Sequence, residues 1–88
     1  MFNIVYTNKF LKDLKLAQKR GLKIKKINHI VTLISEEKEL PPKCRPHILS
    51  GEWSNCWECH IESDWLLIYK FVGEEIHLIR TGTHSDFF

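Results

Sequence analysis

The sequence predicts a single α+β domain spanning residues 1–88, with two helices packed on one side of a small, mainly antiparallel, twisted sheet. Two observations lead there. Residues 9–37 carry apolar side chains at helical spacing in two consecutive segments, whereas residues 53–81 run in short alternating or apolar stretches divided by turn residues. A proline-rich connection separates the two regimes, so the order reads β-α-α-β-β-β.

Residues 2–6, FNIVY, are rich in strand formers, and Thr7 or Asn8 can cap the helix that follows. Phe10, Leu11, Leu14 and Ala17 form one apolar stripe between Lys9 and Lys19, and Gly21 ends this helix. In a second helix near 23–37, Ile24, Ile27, Val31 and Ile34 form the stripe, widened by Ile30 and Leu33. The three prolines of LPPKCRPHILSGE make regular structure unexpected there, and such a loop can carry function on a rigid scaffold. In residues 53–61, Trp57, Cys59 and Ile61 share one strand face; Cys56, Glu58 and His60 share the other. Residues 64–72 are apolar on both faces, as a central strand requires, and residues 75–81 form the last strand, which Gly82 breaks. Glu62-Ser63 is read as the hairpin loop, which places Ile61 opposite Asp64 and His60 opposite Trp65.

Composition narrows the class. An apolar content of 43% fits a folded domain, and no apolar run approaches the roughly 20 residues of a membrane helix. The start, MFNIVYTNKF, lacks the features of a secretory signal, so the expected compartment is the cytoplasm, with no membrane partner. Cys44, Cys56 and Cys59 are an odd number, which argues against a disulfide framework. The C-x-x-C of Cys56 and Cys59 lies in a strand, and a zinc set with Cys44 and His60 lacks two short-spaced ligand pairs; buried thiols are favoured, with no metal or cofactor. Net charge is +2 but unevenly placed: residues 1–45 hold eleven Lys/Arg against four Asp/Glu, and residues 46–88 two against seven. Lys9, Lys12, Lys15, Lys19 and Arg20 fall mostly off the apolar stripes and form a basic surface suited to a polyanion such as RNA or the ribosome.

Four polar residues stand near strand ends. His60 and Asp64 flank the hairpin, Arg80 ends the last strand, and His84 follows a glycine-containing turn; His47 lies on the proline-rich loop with Lys43 and Arg45. Brought together, such a set would suit metal-free RNA cleavage, which needs a base for the 2′-hydroxyl, an acid for the leaving 5′-oxygen and a cation for the phosphate. Histidine serves either proton role near neutral pH. Spacing alone leaves a bland alternative open: hydrogen-bonded strand histidines and a turn-capping Asp64.

Three strings carry more than composition does. H-I-L-S-G-x-W at 47–53, E-C-H-I-x-x-D-W-L-L-I-Y at 58–69 and R-T-G-T-H-S-x-x-F at 80–88, with K-D-L-K-L-A-Q-K-R at 12–20, resemble the YafQ branch of the RelE/ParE toxin superfamily. The resemblance covers nearly the whole chain. It implies a RelE-like fold and a bacterial type II toxin that cleaves mRNA in the ribosomal A site, without a metal, by 2′-hydroxyl attack. It also implies a DinJ/RelB-like antitoxin as partner, with operator DNA reached only through that antitoxin. By the motif, His47, His60, Asp64 and His84 are the catalytic set, with His84 as acid and the base either His60 or Asp64. Arg80, Phe88, Lys43 and Arg45 then meet the substrate, and the basic helix meets the 70S ribosome. One departure stands out: many relatives carry arginine where this chain has Trp57. Alternatives from other classes are a ParE-like inhibitor of DNA gyrase and a catalytically weak binding protein of the same fold.

Overall fold

The computed structural model describes residues 1–88. In chain order the elements are β1 (Asn3–Tyr6), α1 (Asn8–Lys19), α2 (Ile24–Ser35), β2 (His47–Ile48), β3 (Trp57–Glu62), β4 (Trp65–Val72), β5 (Glu75–Gly82) and α3 (His84–Phe87). Single 3-10 turns occupy Pro42–Cys44 and Gly51–Trp53. The sheet order is β1-β5-β4-β3-β2; β1 runs parallel to β5 and every other pair is antiparallel. No helix is long and apolar enough to cross a membrane.

Local chemistry sets the helix ends. Thr7 Oγ1 accepts the Phe10 N–H at 3.2 Å and donates to the Leu78 carbonyl at 2.8 Å, so one hydroxyl caps α1 and stitches it to β5. After α1 the N–H groups of Gly21 and Leu22 return to the carbonyls of Gln18 and Ala17, with Gly21 at φ +82°, a left-handed stop that glycine adopts without steric cost. Helix α2 buries Ile27, Ile30, Val31 and Ile34, as its spacing predicts. Helix α1 differs from expectation: Phe10 and Ala17 are buried, Leu14 is half-buried and Leu11 is exposed. It packs mainly on β5, so its buried stripe is narrower than its apolar stripe.

The core lies between the helices and one sheet face, with Phe10, Ile27, Cys59, Trp65, Leu67 and Leu78 among its members. Full burial of a side chain such as Phe10 contributes roughly 1.5–3 kcal/mol. Strand β4 is central, as read from its two apolar faces. Leu67 and Tyr69 face the helices, and Leu66 and Ile68, also fully buried, face away.

Two bulges set the register, and the first corrects the sequence reading. The hairpin loop is Ser63-Asp64, not Glu62-Ser63: Glu62 pairs with Trp65, His60 pairs with Leu66, and Ile61 is the extra residue. The bulge lets Ile61 and Trp65 both enter the core and turns Glu62 toward Lys26 of α2, at 3.5 Å. A second bulge at Ile79 pairs Ile68 with Arg80 and Tyr69 with Leu78. With a period of two, Leu78 and Arg80 would share the core face; the extra residue moves Arg80 to the opposite one. Two further differences are short elements. β2 forms inside the proline-rich loop, and β3 begins at Trp57 rather than near residue 53, after a turn with Asn55 at φ +68°. The chain also ends in the one-turn helix α3, an element the sequence reading did not include.

Candidate functional site

The sheet face turned away from α1 and α2 carries the polar groups. Residues paired across strands share a face, so one row runs His47, Glu58, Ile68, Arg80 and the next runs His60, Leu66, Gly82. Leu66 and Ile68 make an apolar floor. Helix α3 follows directly from Gly82 and brings His84 to within 5.5 Å of His60, ring centre to ring centre.

Helix α3 is too short to hold itself, and side chains hold it. Thr83 and Asp86 form a reciprocal cap: Thr83 Oγ1 accepts the Asp86 N–H, and Asp86 Oδ2 accepts the Thr83 N–H at 2.8 Å. Asp86 Oδ2 also lies 3.1 Å from Arg20 Nη1. A Cβ on Gly82 would stand 2.5 Å from that same oxygen and 3.0 Å from Phe87 Cζ, so only glycine allows this close approach. These contacts, the Thr83 N–H first and Arg20 next, hold the Asp86 carboxyl below the usual carboxylate range.

Asp64, in the hairpin loop, is committed to His84. Its Oδ1 accepts the His84 backbone N–H at 2.9 Å and lies 2.7 Å from His84 Nδ1. The backbone hydrogen bond first, then the ring, lowers the Asp64 pKa. An imidazole facing a carboxylate through Nδ1 keeps its proton there, which leaves Nε2 as the working nitrogen.

His47 reaches the cluster from β2. Its Nδ1 donates to the Arg45 carbonyl at 2.9 Å, and its Nε2 lies 3.4 Å from Glu58 Oε1. Glu58 is the site residue that sequence reasoning missed. It is only 5% exposed, and its carboxylate, His60 and His84 place one donor atom each within 4.8 Å of one another. Strand alternation already put Glu58 on the His60 face; its burial beside the histidines was the missing information. These three groups are also the ones able to hold a metal ion, a His₂-carboxylate set.

Beside His60 opens a cleft of about 560 Å³, lined by Lys26, Lys43, Arg45, Ile61, Glu62 and Ser63. Lys43 and Arg45 thus share this cleft with His60. Arg80 does not stand open to a phosphate. Its Nε and Nη2 donate to Asp13 Oδ2 and Oδ1 at 2.7 and 3.1 Å, and its guanidinium lies over the Phe87 ring at 5.1 Å. Phe88 is exposed, edge-on to Trp53 and Phe87. Lys9, Lys12, Lys15 and Lys19 are exposed on α1, away from the cluster, and Arg20 is paired with Asp86. All three cysteines are buried free thiols, and burial pushes those of Cys44 and Cys59 up.

The model of the family described as bacterial toxin of type II toxin-antitoxin system, YafQ, matches residues 2–88. The chain belongs to the YafQ toxin family. It is 39% identical over 87 residues to the mRNA interferase toxin YafQ of Escherichia coli K12, covering 98% of this chain and 95% of the relative. The fold matches the crystal structure of YafQ from Escherichia coli BL21(DE3) with a TM-score of 0.92 at 36% identity, over 100% of this chain and 99% of the other. It matches the toxin chain of the Escherichia coli DinJ-YafQ toxin-antitoxin complex at 0.88 and 38% identity, over 99% and 97%. A copper-bound mutant toxin from Helicobacter pylori matches at 0.94 and 30%, over the full length of both chains. The departure at Trp57 now has a place: its side chain lies on the helix side of the sheet, in an apolar groove with Phe2, Ile34, Leu40, Tyr69 and Phe71. It faces away from His60, so the indole leaves the histidine cluster untouched.

Proposed function

We propose that this protein is a toxin that cleaves mRNA on the ribosome and is neutralised by a DinJ-like antitoxin. The observation that carries the reading is the pair of imidazoles 5.5 Å apart, one of them held by a carboxylate, beside a cleft lined with Lys43 and Arg45. Family membership supports it, since a relative is an mRNA interferase and another was crystallised with DinJ.

In this mechanism His60 takes the proton of a ribose 2′-hydroxyl as its oxygen attacks the adjacent phosphorus. The bond from phosphorus to the 5′-oxygen breaks, and His84 delivers the Nε2 proton to that oxygen. The products are a 2′,3′-cyclic phosphate and a free 5′-hydroxyl. Asp64 is a positioning residue, because its inward oxygen is already occupied twice by His84; the base role therefore goes to His60. Buried Glu58 lies 3.4 Å from His47 Nε2 and within 4.8 Å of His60 and His84, placed to offset the charge that His60 gains as it takes the proton. Lys43 and Arg45 stabilise charge on the phosphate. Exposed Phe88 gives a base a face to stack on, and Lys9, Lys12, Lys15 and Lys19 meet ribosomal RNA.

The test is mapping of 5′ ends on an mRNA in a purified translation reaction, comparing wild type, His84→Ala and a reaction without ribosomes. Codon-phased cuts made only by wild type on ribosomes are expected, with His84→Ala still binding antitoxin. Equal cutting by His84→Ala would sink the proton assignment.

The donor set favours a second reading of the same site. Glu58, His60 and His84 would accept a divalent transition ion, and one structural relative is copper-bound. Metal there would occupy the nitrogen lone pairs that move protons, so it is expected to inhibit. Zinc or copper titration should quench cleavage reversibly with a chelator; unchanged cleavage at saturating metal would refute this.

A further inference from the structure

We propose that α1 sets the position of the acid: Asp13 and Arg20 are positioning residues that hold the C-terminal turn carrying His84. This rests on the reading of His84 given above. Asp13 is the one carboxylate on an otherwise basic helix, a single exception in NKFLKDLKLAQK. A solvated basic face has no use for it, and its side chain is only 12% exposed.

Its three contacts all run to the end of β5. Asp13 Oδ2 accepts Arg80 Nε at 2.7 Å and the Thr81 backbone N–H at 3.1 Å, and Oδ1 accepts Arg80 Nη2 at 3.1 Å. Strand β1 pairs only as far as Leu78, so the outer edge of β5 beyond it is open, and the Asp13 carboxylate occupies the place of a neighbouring strand. The fork-shaped pairing fixes the guanidinium plane, and that plane lies over Phe87 of α3 at 5.1 Å. Seven residues on, at the C-terminal cap of the same helix, Arg20 Nη1 reaches Asp86 Oδ2, the oxygen that also caps Thr83.

Helix α3 is thus held near its C-terminal end at two neighbouring residues, Asp86 by Arg20 directly and Phe87 by Asp13 through Arg80, while Asp64 grips its first residue. The three grips determine where Nε2 of His84 stands relative to His60. In this view Arg80 works through Phe87, not on the phosphate.

The test is single-turnover cleavage on programmed ribosomes for wild type, Asp13→Asn, Asp13→Glu, Arg20→Ala and Arg20→Lys, with His84→Ala as reference. Imidazole ¹⁵N resonances are recorded alongside. Asp13→Asn keeps an acceptor for Thr81, and Arg20→Ala lies at the surface, so at least one variant stays folded. The expected result is a kcat lower by about ten- to a hundredfold in Asp13→Asn, with KM within about twofold. Asp13→Glu and Arg20→Lys should recover part of the loss. The His84 resonances should move while those of His77, on β5 away from α3, stay. A kcat within about twofold of wild type in a folded Asp13→Asn, or a rise in KM alone, would overturn the proposal. If His84→Ala cleaves like wild type, the catalytic reading is what fails. The resonances then decide the positioning claim by themselves, and an unmoved His84 in Asp13→Asn overturns it.

Discussion

Replacing Thr81 by valine removes one oxygen and tests how β5 is locked above the site. Thr81 Oγ1 accepts the Trp65 indole N–H at 2.8 Å and donates to the Leu66 carbonyl at 2.6 Å, and Thr81 and Trp65 are nearly inaccessible to solvent. Valine matches threonine in shape, so no cavity opens; the change is confined to hydrogen bonding. The Leu66 carbonyl keeps a second lone pair for the sheet, whereas the indole N–H loses its only partner inside the core. A buried donor left unpaired costs about 1–3 kcal/mol, and the lost bond to Leu66 adds about 1 more. Thr81→Val should therefore lose roughly 2–4 kcal/mol by urea denaturation, which at about 4–8 °C per kcal/mol for a chain of this size lowers Tm by about 8–32 °C. Thr81→Ser keeps the hydroxyl and should lose about 1 kcal/mol or less for the missing methyl. Equal stability of Thr81→Val and wild type, with matching m-values, would refute this account of the Thr81–Trp65 pair: the tryptophan would then be simple filling.

Gly82→Ala should leave the sheet folded but displace Asp86 from its cap, so cleavage falls several-fold while antitoxin affinity holds; a variant cleaving at the wild-type rate would show that α3 can yield at that contact. Acid should loosen α3. Asp64 and Asp86 both have folded pKa values below their ordinary ones, so the stability they contribute is present above the usual carboxylate range near pH 4 and is lost as pH falls through the lowered values. Protection of the His84 and Phe88 backbone N–H groups against hydrogen exchange, relative to their intrinsic rates and followed from neutral pH downward, should hold until that window and then fall. Reversing charge at Lys12, Lys15 and Lys19 should weaken ribosome binding and flatten its salt dependence, measured by co-sedimentation over a salt series; an unchanged slope would make these lysines ordinary surface.

Much of this molecule is local and was legible as such. Helix α2 buries the stripe that its isoleucines and Val31 mark out, and Gly21 stops α1 where a left-handed residue was expected. Strand β4 is central because it is apolar on both faces. Periodicity, caps and breakers act over a few residues, so they survive in the linear text. The motifs at 47–53, 58–69 and 80–88 likewise pointed to the family, and that assignment stands. The bulges at Ile61 and Ile79 could not be read, because each is decided by which side chains the core accepts from two strands at once. Each changes what the neighbouring polar residues can do: one frees Asp64 for the loop and the other swings Arg80 to the far face. Glu58 became a member of the site only when β2 and α3 closed over it. Asp13 found Arg80 across 67 positions of sequence. Alternation could place Glu58 and His60 on one face, but only the closed tertiary structure could set a carboxylate of α1 against the end of β5, because that meeting depends on where the whole sheet ends.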